Sequence, residues 1–321
     1  MVITRRRVIS GLALATIGAP WRSHAQTTSG PPKVGFYTGD RAWKESFEAG
    51  MRDLGWVEGQ SFVIDWRRSK EEAGVREAQE LGRLKLDVAV VGDPHRIRAA
   101  MKATTTIPIV GIDLESDPVA SGFVTSLGRP GKNVSGIWLD QPELAGKLLQ
   151  FLQEVAPGLQ RVGVVWDNRI GGPQLEAAQA AARAVSISLH LVSLHTVGET
   201  EDAVKRLLGG RAQAILLLTA PAVMNALPRI AELARRNHLP SISPFSTYPA
   251  SGGLMAYGPD FPAIWRQAAG YVDRILKGAK VADLPVERPS RFELIINMKT
   301  AKAIGLTIPP SVLGRADQVI E

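Results

Sequence analysis

The sequence predicts an α/β protein built from two doubly wound parallel-sheet lobes joined by a hinge. Short apolar runs alternate with amphipathic helical stripes, a pattern typical of parallel sheets with helices on both faces. The 321 residues suffice for two domains of ordinary size, each with its own core. The alternation restarts beyond a seam at residues 133–141, next to Pro130 and Gly131. These three observations together favour two lobes of similar architecture.

In the first half, β-branched apolar runs predict strands and a 3.6-residue apolar repeat predicts helices. One stripe, at positions 43, 47, 50, 51 and 54, stops at Gly55, a residue that commonly follows a helix. The run at 86–91 is almost wholly apolar, as in strands buried on both faces. The predicted strands are 33–37, 62–66, 86–91 and 107–112, and the predicted helices are 43–54, 71–84 and 95–103.

The second half repeats this alternation. Its first helix has Pro142 near its start, where a missing N–H costs nothing. The predicted strands are 161–166, 189–194, 214–218, 241–243 and 253–257. The predicted helices are 142–155, 174–185, 199–208, 222–237 and 261–277.

Residues 1–25 have the layout of an export signal. Arginines at positions 5–7 precede an uncharged, mostly apolar segment at 8–21, and small residues follow at positions 23 and 25. This layout predicts cleavage between Ala25 and Gln26 and places the mature chain in the periplasm. The paired arginines fit the twin-arginine export route, while general secretion is the alternative.

Composition excludes several function classes. The absence of cysteine removes disulfides, thiolate metal sites and cysteine nucleophiles. The net charge is +7, and four of the arginines that contribute to it lie in the first 25 residues. The remainder of the chain carries 34 basic and 31 acidic side chains. A nucleic-acid partner is not expected, because no concentrated basic patch remains. No apolar stretch reaches the roughly 18 residues of a membrane span, so stable membrane insertion is not expected either.

Catalytic and cofactor motifs are not found. Gly131-Lys132 lacks the rest of a phosphate loop, and neither a dinucleotide fingerprint nor a G-x-S-x-G elbow occurs. The chain is therefore predicted to be no enzyme, with no catalytic residue, no metal site and no cofactor. The alternative of a secreted two-lobe enzyme rests on Asp93 and His95, the only nearby acid/base candidates.

Polar residues cluster where the predicted strands end, and ligands of open α/β sheets bind beyond those ends. Helix N-termini there suit a carboxylate, whereas Asp93 or Asp113 suits an ammonium group. Tyr37 and Tyr248 can stack on an apolar ligand body. The predicted ligand-binding residues are Tyr37, Thr38, Asp40, Gly92, Asp93, Pro94, Asp113, Asp117, Asp167, Asn168, Thr219, Pro221, Ser246 and Tyr248.

Several motifs resemble one family of ABC-transporter solute-binding proteins, often labelled tryptophan/tyrosine transport. The most specific block is Ser126-Leu-Gly-Arg-Pro-Gly-Lys-Asn-Val-Ser-Gly136. The segments 50–60, 103–110, 116–119, 252–258 and 292–317 are also similar to the family, so the resemblance covers essentially the whole chain. It implies a type I periplasmic-binding-protein fold.

The resemblance also implies lobe boundaries and a role. The N-terminal lobe is 33–138 with about 259–290, the C-terminal lobe is 139–258 with about 291–321, and 26–32 is a flexible lead-in. The implied role is capture of a small ligand, such as an aromatic amino acid or related carboxylate, by hinge closure and its delivery to an ABC permease. A monomer is expected. A sensory module that feeds a receptor is an alternative, and departures at 92–95, 167–169 and 243–251 leave the ligand open.

Overall fold

The computed structural model describes residues 30–38, 41–68, 71–139 and 142–321. The predicted export signal and Asp40 lie outside the described residues. Two sheets form the framework, and each is covered by helices on both faces. The structure therefore has the predicted two-lobed α/β architecture.

The first sheet is parallel throughout and has the strand order β2-β1-β3-β4-β5. Alternate side chains of each strand point to opposite faces. Phe36 of β1 therefore packs on Phe47 of α1, whereas its neighbour Tyr37 joins Ala78 of α2 on the other face. The strands are β1 (Lys33–Tyr37), β2 (Val63–Arg67), β3 (Val88–Gly92), β4 (Ile109–Asp113) and β5 (Val134–Trp138), and the helices are α1 (Arg41–Asp53), α2 (Glu71–Gln79) and α3 (Pro94–Ala103).

The second sheet has the order β12-β11-β10-β9-β8-β6-β7. Helices α4 and α5 pack on one of its faces, and α6 and α7 pack on the other. The strands are β6 (Arg161–Trp166), β7 (Ser188–Ser193), β8 (Ala214–Leu217), β9 (Ser241–Ser243), β10 (Met255–Pro259), β11 (Phe292–Asn297) and β12 (Gln318–Ile320). The helices are α4 (Leu144–Val155), α5 (Gly172–Ala184), α6 (Thr200–Gly209), α7 (Pro221–Arg236), α8 (Phe261–Leu276), α9 (Met298–Ala303) and α10 (Pro310–Leu313).

Helix α8 follows a strand of the second sheet but packs on the first. It lies against α1 and against β3, β4 and β5, and its Trp265 ring stacks on Trp43 at a centroid distance of 5.3 Å. The chain returns to the second sheet at β11. The two passages run side by side, because the Asp260 amide donates to the Arg291 carbonyl at 3.0 Å.

Two details differ from the sequence-based expectations. The predicted seam contains β5, an entirely buried strand that was not recognised, because Ser135 and Gly136 interrupt its apolar residues. The second sheet is also not wholly parallel, since β10 and β11 are antiparallel. The chain leaves the second sheet at the end of β10 and passes to the first sheet as α8. It returns from the first sheet to begin β11 beside the end of β10, so the two strands run in opposite directions.

Candidate functional site

The carboxyl ends of strands from the two sheets meet in a cleft. Thr219 follows β8, and its hydroxyl donates to the Leu114 carbonyl, which follows β4, at 3.1 Å. Gln174 of α5 donates its Nε2 to the Glu115 carbonyl at 3.4 Å. Ligand sites of open α/β sheets lie at this edge. The cleft is therefore the candidate site.

A cavity occupies the cleft on the side of α4 and α5. Its volume is about 130 Å³, which is smaller than the roughly 300–1,000 Å³ typical of small-molecule sites. Leu139, Leu148 and Leu218 contribute to its apolar wall. Glu115 and Asp117 are its acidic side chains, and no lysine, arginine or histidine of the described residues lines it. The cavity thus combines an apolar body with acidic side chains.

Asp113 is fully buried at the end of β4, behind the acidic side of the cavity. Its Oδ1 accepts from the backbone amides of Glu115 and Ser116 at 2.8 and 3.1 Å. Its Oδ2 accepts from the Ser116 hydroxyl and from Trp138 Nε1, the latter at 3.1 Å. These four donors fix both the carboxylate and the loop that follows β4.

Glu115 lies next to this carboxylate and is half-buried. Its Oε2 accepts from the Leu114 amide at 3.1 Å. Burial, and then the nearby charge of Asp113, raise the pKa of Glu115 well above its usual range. Burial also raises the pKa of Asp113, although its hydrogen bonds oppose the rise. The two carboxyl groups therefore hold a proton more firmly than either would in water.

The raised pKa of Glu115 gives a testable pH dependence. The folded chain binds this proton more tightly than the unfolded chain, so the stability it provides is full below the unfolded pKa of about 4.3 and falls as pH rises towards the folded pKa. Glu115→Gln cannot ionise. We expect it to match the parent chain in urea unfolding at pH 4 and to be more stable than the parent at pH 7.

The control for this measurement is Glu176→Gln, an exposed glutamate of α5 for which the pH dependence should match the parent. Glu115→Gln being less stable than the parent at pH 7 would contradict the assigned proton affinity.

Asp93 follows β3 and precedes α3 in a strained conformation, with a φ of 61°. Few side chains adopt such a backbone, and this kind of strain is concentrated at functional sites. Asp93 caps α3 by accepting from the amides of His95 and Arg96, both at 3.0 Å, and its other oxygen pairs with the Arg96 guanidinium at 3.0 Å. Burial raises the pKa of Asp93 although Arg96 opposes the rise. The Asp93 carboxylate therefore bonds to residues of the helix that it caps, α3.

Three buried polar atoms near the ends of β1 and β3 have no partner among the described residues: Thr38 Oγ1, His95 Nε2 and Trp265 Nε1. Trp265 neighbours Gly92, where an added Cβ would lie 3.7 Å from the indole. Buried polar groups are normally hydrogen-bonded, so these three atoms are candidates for hydrogen bonds to a bound ligand. Of these three residues, only Thr38 is among the predicted ligand-binding residues, and it is 1 % exposed.

Two predicted aromatic residues lie away from the cavity. The Tyr37 ring packs on the α2 side of the first sheet, and burial raises its pKa to about 12 while Arg67 opposes the rise. Tyr248 is fully buried, and its hydroxyl donates to Ser241 Oγ at 2.8 Å. The structure therefore does not bring these two rings together.

The remaining predicted residues divide between the cavity and its surroundings. Asp117 lines the cavity and caps the next turn through the Val119 and Ala120 amides. Asp167 is buried and pairs with Arg169, and Asn168 Oδ1 accepts from His195 Nε2 at 2.7 Å. Pro94 and Pro221 begin α3 and α7, and Ser246 lies in the turn after β9.

The sequence-based prediction omitted Glu115 and Gln174. Glu115 lies in the same acidic strand-end run as Asp113 and Asp117, and that run was a usable signal. No sequence signal marked Gln174, because glutamine is common near the start of a helix. Its place in the cavity wall depends on how α5 faces the other sheet.

Two helices begin at the cavity without a side-chain cap. The residues before α4 and α5 are Glu143 and Gly171, and neither caps its helix with a side chain. The first residues of both helices line the cavity. In α4 the amides of Ala145 and Gly146 already donate to the carbonyls of Pro142 and Glu143, so what the two helix starts offer an anion is chiefly the positive end of the helix dipole.

Comparisons with known proteins assign a family to the chain. A family model described as ABC transporter substrate binding protein matches residues 39–320. A tyrosine-binding protein of Clostridioides difficile is 26% identical over 267 residues, covering 82% of this chain and 76% of the relative.

Solved structures agree in fold. A conserved domain protein of Vibrio cholerae matches with a TM-score of 0.83 and 25% identity, covering 90% of this chain and all of that one. A streptococcal ABC domain in complex with L-Trp matches with a TM-score of 0.81 and 22% identity, over 91% of this chain and all of that one. Within the described part of the chain, no helix is long and apolar enough to cross a membrane.

Proposed function

The chain belongs to the ABC transporter substrate-binding protein family, and we propose that it captures an amino acid between its lobes and delivers it to an ABC permease. Its fold is that of the type I periplasmic binding proteins, as the resemblance predicted. The proposal includes export of the chain to the periplasm and a role in binding without turnover.

The proposal rests on the cavity, whose two sides differ in chemical character. The Asp113–Glu115 carboxyl pair suits an ammonium group, and the uncapped starts of α4 and α5 suit a carboxylate. A zwitterion satisfies both at once. The leucine wall between them suits an apolar side chain.

An aromatic side chain is the proposed body of the ligand. The apolar wall of the cavity suits one, and the relatives described as binding tyrosine and L-Trp point to the same class. Thr38, Asp93 and Asp117 stay proposed contacts.

We propose lobe boundaries of 33–138 with about 259–290 and of 139–258 with about 291–321. Support comes from α8, which packs on α1, and from β11 and β12, which extend the second sheet. The passages between the sheets then form the hinge about which the lobes close on the ligand.

Thermal unfolding of the purified full-length chain with single ligands tests the function. After unfolding and refolding to remove carried-over ligand, L-tyrosine, L-tryptophan, tyramine, 3-(4-hydroxyphenyl)propionate and nucleosides are compared. A ligand at about 100 times its Kd adds roughly 2.7 kcal/mol of stability. We expect the intact amino acids to give the largest rise in Tm, since tyramine lacks the carboxylate and the propionate lacks the amine.

Glu115→Gln provides the matched test of the site. It should weaken L-tyrosine and tyramine while leaving the propionate unchanged, and Glu176→Gln should alter none of them. A panel without any stabilising member would overturn the proposed amino-acid ligand. Consumption of a stabilising ligand would favour an enzyme instead.

A further inference from the structure

Two side chains of the second lobe reach directly across the cleft to the backbone of the first. The Thr219 hydroxyl donates to the Leu114 carbonyl in a bond that is wholly buried. The Gln174 amide donates to the next carbonyl along, that of Glu115. Both bonds are direct, and they join the lobes alongside apolar contacts such as that between the Phe245 and Phe261 rings.

Both donors are held in place within their own lobe. Gln174 Oε1 accepts from the Thr219 amide at 2.9 Å, and Gln174 Nε2 also lies 3.5 Å from the Thr219 carbonyl. The side chain of Gln174 therefore bridges α5 to the end of β8. Thr219 itself is 2 % exposed, which leaves its hydroxyl little freedom to turn elsewhere.

The acceptors are held equally firmly. The Asp113 carboxylate fixes the Glu115 and Ser116 amides, and the Glu115 carboxyl accepts from the Leu114 amide. The two carbonyls thus face the second lobe from a loop whose amide groups are already bonded. Donors and acceptors fixed in advance lose little conformational freedom when they meet.

We propose that Gln174 and Thr219 form a latch that favours the closed arrangement of the lobes independently of ligand, so that they act as positioning residues and not as ligand contacts. The inference rests on the lobe closure of the proposed function but not on the ligand's identity. A net hydrogen bond changes an equilibrium by roughly 2- to 12-fold. Loss of either residue should lower the closed-to-open ratio by that factor.

A distance measurement between the lobes tests the latch without any ligand. The chain has no cysteine, so Lys102→Cys and Lys205→Cys, exposed positions of the first and second lobe, allow spin labels at chosen sites. We expect pulsed electron spin resonance on the refolded full-length chain to show a dominant short distance. In Thr219→Val, which keeps the shape but removes the donor, the longer distance should gain population.

Further variants separate the latch from a general structural role. Thr219→Ser restores a hydroxyl and should restore the short distance, and Gln174→Met should behave like Thr219→Val. Gln179→Met, on the same helix, should leave the distances unchanged. If Thr219→Val fails to fold, Gln174→Met at its half-exposed position carries the comparison.

The outcomes are distinct from those of the ligand panel. Distances that are the same in the parent, Thr219→Val and Gln174→Met overturn the latch, whichever ligand binds. Opening in those two variants supports it even where no amino acid stabilises the chain, in which case the proposed function fails and the latch stands.

Discussion

Asp113→Ala is expected to lower the free energy of unfolding by roughly 3–5 kcal/mol, because it leaves several buried donors without an acceptor. The carboxylate accepts from the Glu115 and Ser116 amides, from the Ser116 hydroxyl and from the Trp138 indole. Burying the Asp113 charge has a cost, which also raises the pKa of this carboxyl group, and removing the charge offsets part of the loss. Urea unfolding at pH 7 measures the difference.

Two variants calibrate this result. Asp117→Ala removes an exposed cap of two amides in the same loop and should cost only about 1 kcal/mol. Asp113→Asn keeps one acceptor oxygen and should fall between the two. A free energy of unfolding for Asp113→Ala within 1 kcal/mol of the parent would show that the donors find other partners.

The same substitution bears on ligand binding. Because the loop after β4 forms the acidic side of the cavity, Asp113→Ala should abolish the rise in Tm with L-tyrosine, even at concentrations that saturate the parent. Asp113→Asn keeps most of the loop geometry, so it separates loss of charge from loss of shape.

Gly136→Ala is the second substitution expected to have a large effect. Gly136 of β5 has a φ of 142°, and an added Cβ would lie only 2.1 Å from the carbonyl oxygen of Gly111, its partner in β4. The atom it meets belongs to the backbone of a buried strand, so no side chain can move aside. We expect a loss of more than about 4 kcal/mol, from strain and overpacking together.

Gly270→Ala in α8 is the matched control. No atom lies within 4 Å of its added Cβ, and alanine favours a helix interior by up to about 1 kcal/mol over glycine. It should therefore be neutral or stabilising in urea unfolding. Soluble Gly136→Ala with the Tm of the parent would contradict the contact between β4 and β5.

The fold class followed from local patterns because parallel strands in this architecture are short and buried on both faces. Such strands read as apolar runs, and the strands β1, β6 and β9 begin and end at the predicted residues. Strand β5 was missed because the glycine that its contact with β4 requires also interrupts its apolar run. Here a long-range contact determines the residue and thereby weakens the local signal.

The candidate site was predictable only in part. Strand-end position identified Asp113, Asp117 and Thr219, which the structure brings to the cleft. It did not identify which way a side chain points. Tyr37 turns towards α2 because it alternates with Phe36 in the pleat, and Tyr248 turns into the core to bond Ser241.

The sequence by itself determined the two-lobed α/β fold, the family and the acidic character of the loop after β4. Hydrophobic periodicity and motifs carry that information within short segments of chain. Only the tertiary structure decided that Glu115 faces the cavity, that Gln174 and Thr219 bond across the cleft, and that α8 returns to the first sheet. These features arise from contacts between residues far apart in sequence, and such contacts are set by how the lobes pack.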